Sequence, residues 1–190
     1  LIFRQQLARP LLFTTLKKTL MRLYKVSTKS SASLVRTMSD LRELYQQLIL
    51  DHNKNPRNFR AIESAQRVSE GNNPLCGDRV TLYVNVENDH ISDIAFQGSG
   101  CAISKASASL MTEALKGKTV EDAKTLFLQF QNMVTDKSAK QTSEDMGKLA
   151  VFAGIRDYPT RVKCATLAWH AAHAALLNHQ DPITTEGETS

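Results

Sequence analysis

Three cysteines and one aspartate carry the reactive chemistry that this 190-residue chain offers. Asn73-Pro74-Leu75-Cys76-Gly77-Asp78 reads as a tight turn that presents a thiol and, two residues later, a carboxylate. A thiolate is both a soft ligand and a nucleophile, and Gly77 is free to take the backbone conformation that points both groups to one spot. Two ligands leave a tetrahedral ion two short, and Cys101 and Cys164 are the thiols available to complete it. The competing reading makes Cys76 a small buried hydrophobe and Asp78 an ordinary turn former. The cysteine count is odd and no CxxC pair occurs, so no disulfide framework accounts for all three. Working thiols in a reducing compartment are the economical inference.

The surrounding elements place each of these residues. Ser39 as N-cap and Glu43 near N3 open a helix over Asp40 to His52, with Leu41, Leu44, Leu48 and Tyr45 on its inner face. It stops in the breaker cluster Asn53 to Asn58, and a short extended piece is expected over Ala65 to Ser69. Thr81 to Val86 and Ile91 to Phe96 alternate with period two around Glu87-Asn88-Asp89-His90, which predicts a strand, a turn and a strand. Leu82, Val84, Val86, Ile94 and Phe96 are expected on one buried face. Gln97-Gly98-Ser99-Gly100 ends the second strand, and Ala102 to Lys116 has helical composition closed by Gly117. Cys101 thus falls at a helix N-terminus, where free amides and the dipole favour a thiolate. Val120 to Phe130 predicts a further helix, Leu149 to Ile155 a shorter apolar piece, and Thr160 to Asn178 a last helix with Cys164 near its start. All three thiols are therefore expected where the backbone favours a charged sulfur. His170 and His173, one turn apart among alanines, read as partly exposed helix residues, and His52, His90 and His179 are assigned no role. Lys118, Lys137 and Lys140 read as solvated surface.

Charge is divided unevenly along the chain. Residues 1 to 39 hold eight basic residues and no acid; taking those eight from the 24 Lys and Arg leaves 16 against 19 Asp and Glu. Residues 40 to 190 thus carry a formal −3 against +5 for the whole chain, and the folded part shows no basic stripe that would suit nucleic acid. The expected organisation is a basic, unfolded extension over 1–39, one domain over 40–180 and an unfolded tail over 181–190. The extension is Arg- and Ser-rich in the manner of an organelle transit peptide. An upstream-translated or non-native segment is the alternative, since Met38-Ser39-Asp40 opens the globular pattern. No run of 18 apolar residues occurs, so no membrane span is expected.

Four segments stand out together: Leu44 to Phe59 (LYQQLILDHNKNPRNF), Asn72 to Asp78 (NNPLCGD), Phe96 to Ser104 (FQGSGCAIS) and Tyr158 to Trp169 (YPTRVKCATLAW). In this order they resemble the iron-sulfur scaffold family of IscU and NifU N-terminal domains, and its SufU branch in particular. The resemblance covers about residues 40 to 180. It implies an α+β fold in which a three-stranded antiparallel sheet is covered by helices on one face. It also implies that Cys76, Asp78, Cys101 and Cys164 gather to bind zinc or, alternatively, iron or a [2Fe-2S] cluster.

Two details point to the SufU branch. The 62 residues between Cys101 and Cys164 leave room for that branch's insertion, placed within Gly117 to Gly147. Lys163 also stands where scaffold-type members carry a histidine, which favours sulfur relay over cluster assembly on this chain. The resemblance then implies a zinc-dependent sulfurtransferase with Cys76 as sulfur acceptor and a cysteine desulfurase as donor. A cluster assembly complex or apo-proteins would be the acceptors, and Arg161 and Lys163 would lie near the site toward the partner. Neither nucleic acid nor membrane is expected as a partner. The implied location is the cytoplasm, or an organelle matrix if residues 1–39 are a transit peptide.

Overall fold

A computed structural model describes residues 42–136, 146–179 and 182–185. The expectations for residues 1–39, Leu41, Lys137 and Lys140 lie outside the described residues. The chain separates into two units, Leu1–Leu44 and Tyr45–Ser190, and the fold that follows is that of the second.

The sheet grows from a hairpin legible in the sequence. Strand β2 (Asp78–Glu87) runs antiparallel to β3 (His90–Ser99), and the two-residue turn between them holds Asn88 and Asp89 at φ 50° and 64°. Asn and Asp tolerate that left-handed backbone, and the turn twists with the strands it joins. Val80, Leu82 and Val84 alternate into the core and meet Ile91, Ile94 and Phe96. Val86 is only half-buried, because the register slips between Asn85 and Val86 and the bulge rotates the strand end.

Strand β1 (Arg67–Asn73) pairs antiparallel with β2 through Asn73 opposite Asp78, so it begins later and ends later than Ala65 to Ser69. Among the described residues the sheet has four strands, not three, in the order β3-β2-β1-β4. The extra strand, β4 (Ile183–Thr184), lies parallel to Gly71 and Asn72, within the stretch expected to be an unfolded tail. The two-residue match carries no sequence signal of its own.

Helices cover the buried face. α1 spans residues 42–54, α2 Ala102–Leu115, α3 Val120–Thr135 and α4 Pro159–Leu176, with a 3-10 helix over Gly147–Ile155. α4 packs on β1 and β2, and α2 on β3 and α4. Trp169 of α4 is fully buried and stacks on Phe130 of α3 at 4.3 Å between centroids, while Phe130 meets Phe152 of the 3-10 helix edge-on. α3 runs past the expected Phe130 because Met133 and Val134 are buried as well. The inner face expected for α1 is corrected: Leu44 and Tyr45 are exposed, whereas Leu48 and Ile49 pack on the core and His52 is buried. Contact is made by the helix's later turns, where His52 Nδ1 lies 2.8 Å from Ser109 Oγ of α2. Among the described residues no helix is long and apolar enough to cross a membrane.

Candidate thiolate and carboxylate site

The β1–β2 connection aims the first two groups. Asn73 and Asp78 face each other across the ladder, leaving Pro74 to Gly77 as the loop. Gly77 closes it at φ +69°, a conformation that a Cβ would strain. Cys76 is exposed on this loop, while Asp78 is completely buried at its base.

Cys101 arrives from the other side as the N-cap of α2, its sulfur accepting the Ser104 N–H at 3.4 Å. Its own backbone N–H donates to Asp78 Oδ1 at 2.7 Å, and its thiol sulfur lies 3.9 Å from Asp78 Oδ2. Gly100 makes this approach possible, because a Cβ there would stand 2.6 Å from Asp78 Oδ1. Cys164, in the second turn of α4, is buried with only 3% exposure. Its sulfur accepts from Asn73 Nδ2 at 3.5 Å. The ligand atoms of Cys76, Asp78 and Cys164 all lie within 4.8 Å of one another, and Cys101 joins them through the Asp78 carboxylate.

The electrostatics of this cluster correct one expectation. Nearness to the start of a helix does not favour a charged Cys164. Burial pushes its thiol well up, reinforced by its hydrogen bonds with Asp78 and Cys76 and by the charges of Cys101 and Asp78. None of the ion pairs among the described residues involves Asp78. With Cys101 beside the Asp78 carboxylate of the Cys76, Asp78 and Cys164 group, three soft sulfurs and one carboxylate make a donor set that fits a thiophilic divalent ion.

The remaining expected residues lie around this centre. Arg161 is exposed, with its guanidinium 4.5 Å from the Tyr158 ring centroid. Lys163 is half-buried and lines a cavity of about 190 Å³ with Thr166, His170 and Thr184. His170 and His173 pack against Phe127, the latter stacked at 4.7 Å. The sequence reading missed Asn73 and Gly100 as parts of the site. Asn73 stood inside the quoted motif, and its place at the end of a strand, opposite Asp78, was the signal that would have found it.

A sheet covered on one face by helices, with thiols and a carboxylate brought together from the β1–β2 loop and two helices, defines an α+β domain carrying a cluster that could hold a metal ion. Residues 44–165 match the family described as NifU-like N terminal domain, and the chain belongs to that family. It is 43% identical over 142 residues to the zinc-dependent sulfurtransferase SufU of Bacillus subtilis, covering 75% of this chain and 95% of that protein. It is also 40% identical over 139 residues to the iron-sulfur cluster assembly scaffold protein IscU of Streptococcus pyogenes, covering 73% and 86%. The crystal structure of FiSufU from Fervidobacterium islandicum superposes with a TM-score of 0.63 at 39% identity, covering 68% of this chain and 93% of that one.

Proposed function

We propose that this chain accepts sulfane sulfur from the persulfide of a cysteine desulfurase and passes it on to iron-sulfur cluster assembly. In this reading Cys76, Asp78, Cys101 and Cys164 hold one zinc ion. The observation that carries it is the unequal placement of the sulfurs: Cys76 stands exposed on a loop, while Cys164, within 4.8 Å of it, is buried. Likeness to a protein named as a zinc-dependent sulfurtransferase supports the same reading.

Zinc, when bound, is a Lewis acid that keeps its thiol ligands deprotonated at neutral pH. The chain's own residues do the rest. The Cys76 thiolate attacks the outer sulfur of the protonated persulfide, and the S–S bond of the donor breaks. The donor cysteine leaves as a thiolate, and Cys76 keeps the terminal S–H as its own persulfide. Asp78, Cys101 and Cys164 are held by the sheet and helices while the Cys76 loop moves. Arg161, exposed one turn before Cys164, offers a cation to steer an acidic rim on the donor.

The test is desulfurase turnover with zinc-loaded chain and its Cys76→Ala variant. Loss of stimulation and of the persulfide on this chain is expected; retained stimulation by the variant would refute the acceptor role. A second reading, assembly of a [2Fe-2S] cluster on the same residues, is supported by likeness to proteins named as scaffolds. Anaerobic reconstitution separates the two: a stable cluster spectrum with transfer to an apo-protein, and no stimulation, favours the scaffold.

A further inference from the structure

Asn73 is completely buried, yet among the described residues its side-chain carbonyl Oδ1 has no hydrogen-bond partner. Leaving a buried carbonyl unpaired costs free energy, so the amide must be held there by what its other end does. That other end, Nδ2, donates to Cys164 Sγ at 3.5 Å, across 91 residues of chain. Turning the amide over would bring Oδ1 against the sulfur, setting two acceptors face to face once the thiol has lost its proton. The orientation seen is the one that suits a ligating thiolate.

Its position is fixed by the same ladder that fixes the aspartate. Asn73 and Asp78 are directly opposed on β1 and β2, so both side chains leave the sheet on one face. Asp78 reaches the backbone of Cys101, and Asn73 reaches Cys164. One cross-strand pair thus secures two of the three sulfurs, while Cys76 hangs from the loop between them. A neutral amide also donates without adding charge.

We propose that Asn73 is a positioning residue that holds the Cys164 sulfur as a retained metal ligand, which leaves Cys76 as the thiol free to react. An N–H···S bond aims the sulfur's remaining lone pairs and draws electron density from it, making it a steadier ligand and a poorer nucleophile. This role rests on the proposed metal site, and its test is independent of any sulfur donor.

The experiment is metal binding by the full chain and by its Asn73→Leu and Asn73→Ala variants, one filling the space without a donor and one vacating it. Zinc affinity is read by chelator competition, and cobalt is used as a spectroscopic probe. Each variant is expected to lose about 10- to 100-fold in zinc affinity. The thiolate-to-cobalt charge-transfer band is expected to move to longer wavelength, because a sulfur without its donor gives up electron density more easily. A purely structural asparagine would change the melting of the metal-free protein and leave the band in place. Asn72→Ala, at the exposed neighbour, serves as the control and should move neither readout. Wild-type affinity and an unmoved band in both variants would overturn the role of Asn73 and leave the metal site standing. A wild-type chain that binds neither zinc nor cobalt through thiolates would overturn the site and, with it, this role.

Discussion

Asp78 Oδ1 accepts the backbone N–H of Cys101 at 2.7 Å, so the carboxylate that follows the first thiol is also the tie that docks the second. The bond joins the start of β2 to the N-cap of α2 over a sequence gap of 23 residues. Asp78 therefore has two roles, one as a charge among the thiols and one as an acceptor for the backbone, and they are separable.

Asp78→Asn keeps an oxygen for the Cys101 N–H and removes the charge. Its metal-free stability should stay close to wild type, while zinc affinity falls by more than the roughly 10- to 100-fold typical of losing an outer partner. Asp78→Ala removes both and should also destabilise the metal-free chain by about 1.5–3 kcal/mol, the worth of a hydrogen bond to a charged group. Thermal melts with and without chelator, beside zinc competition, distinguish the two variants. Equal melting of both metal-free variants would count against the structural half of the argument.

Gly100 and Gly77 are predicted to fail for different reasons. Gly100→Ala places a methyl 2.6 Å from Asp78 Oδ1 and 3.0 Å from its Cγ, so the carboxylate must swing away from the thiols. Zinc affinity should drop by at least about tenfold, as for a misplaced ligand. Gly77→Ala meets no atom within 4 Å, and its cost is the left-handed backbone at φ +69°, roughly 1–2 kcal/mol. Denaturant unfolding and chelator competition on both variants would show the reversed pattern if the close approach at Gly100 were unimportant.

What could be read from the chain and what could not follow from the range of the forces involved. The Asn88-Asp89 turn, the alternation through Leu82 and Val84 and the cap at Cys101 are local, and periodicity or residue type alone exposes them. Gly77 beside Cys76 signalled the paired thiol and carboxylate for the same reason. The depth of Cys164, the docking of α1 through His52 instead of Leu44 and Tyr45, and the pairing of Ile183 with Gly71 are set by distant partners. No window of sequence contains both members of such a contact. Asn73 shows this most clearly, since an asparagine before a proline reads as turn chemistry and only the opposing Asp78 and distant Cys164 reveal it as part of the site.

The thiols should differ in reactivity once metal is stripped. Cys76 and Cys101 are exposed, whereas Cys164 is buried and its thiol is pushed up by burial and by the neighbouring acidic groups. A raised value means less thiolate at any working pH, and the thiolate is the species that alkylates. Iodoacetamide at pH 8, with peptide mapping against time, should modify Cys76 and Cys101 well before Cys164. Early labelling of Cys164 in a chain that is still folded would contradict the burial described here.

His52 makes stability sensitive to mild acid. Its ring is buried between Ser109 and Glu113, with Nδ1 2.8 Å from Ser109 Oγ and Nε2 3.8 Å from Glu113 Oε2. Ser109 Oγ also accepts the Arg57 N–H at 2.8 Å, which ties the ring's partner to the loop after α1. Burial, aided by Arg57, holds the His52 imidazole below its ordinary value despite Glu113 and Asp51. The unfolded chain therefore binds the proton more readily than the folded one. The contribution of neutral His52 is fully present above about pH 6.5 and is lost as pH falls from there through the lower folded value. Urea unfolding of metal-free protein should show stability falling toward acid, with this group adding a slope of at most about 1.4 kcal/mol per pH unit. His173 is lowered as well, by burial and Lys124, and adds a parallel slope that His52→Gln leaves in place. The difference between wild type and His52→Gln isolates the buried ring; identical pH profiles would mean that His52 titrates alike in the folded and unfolded chains.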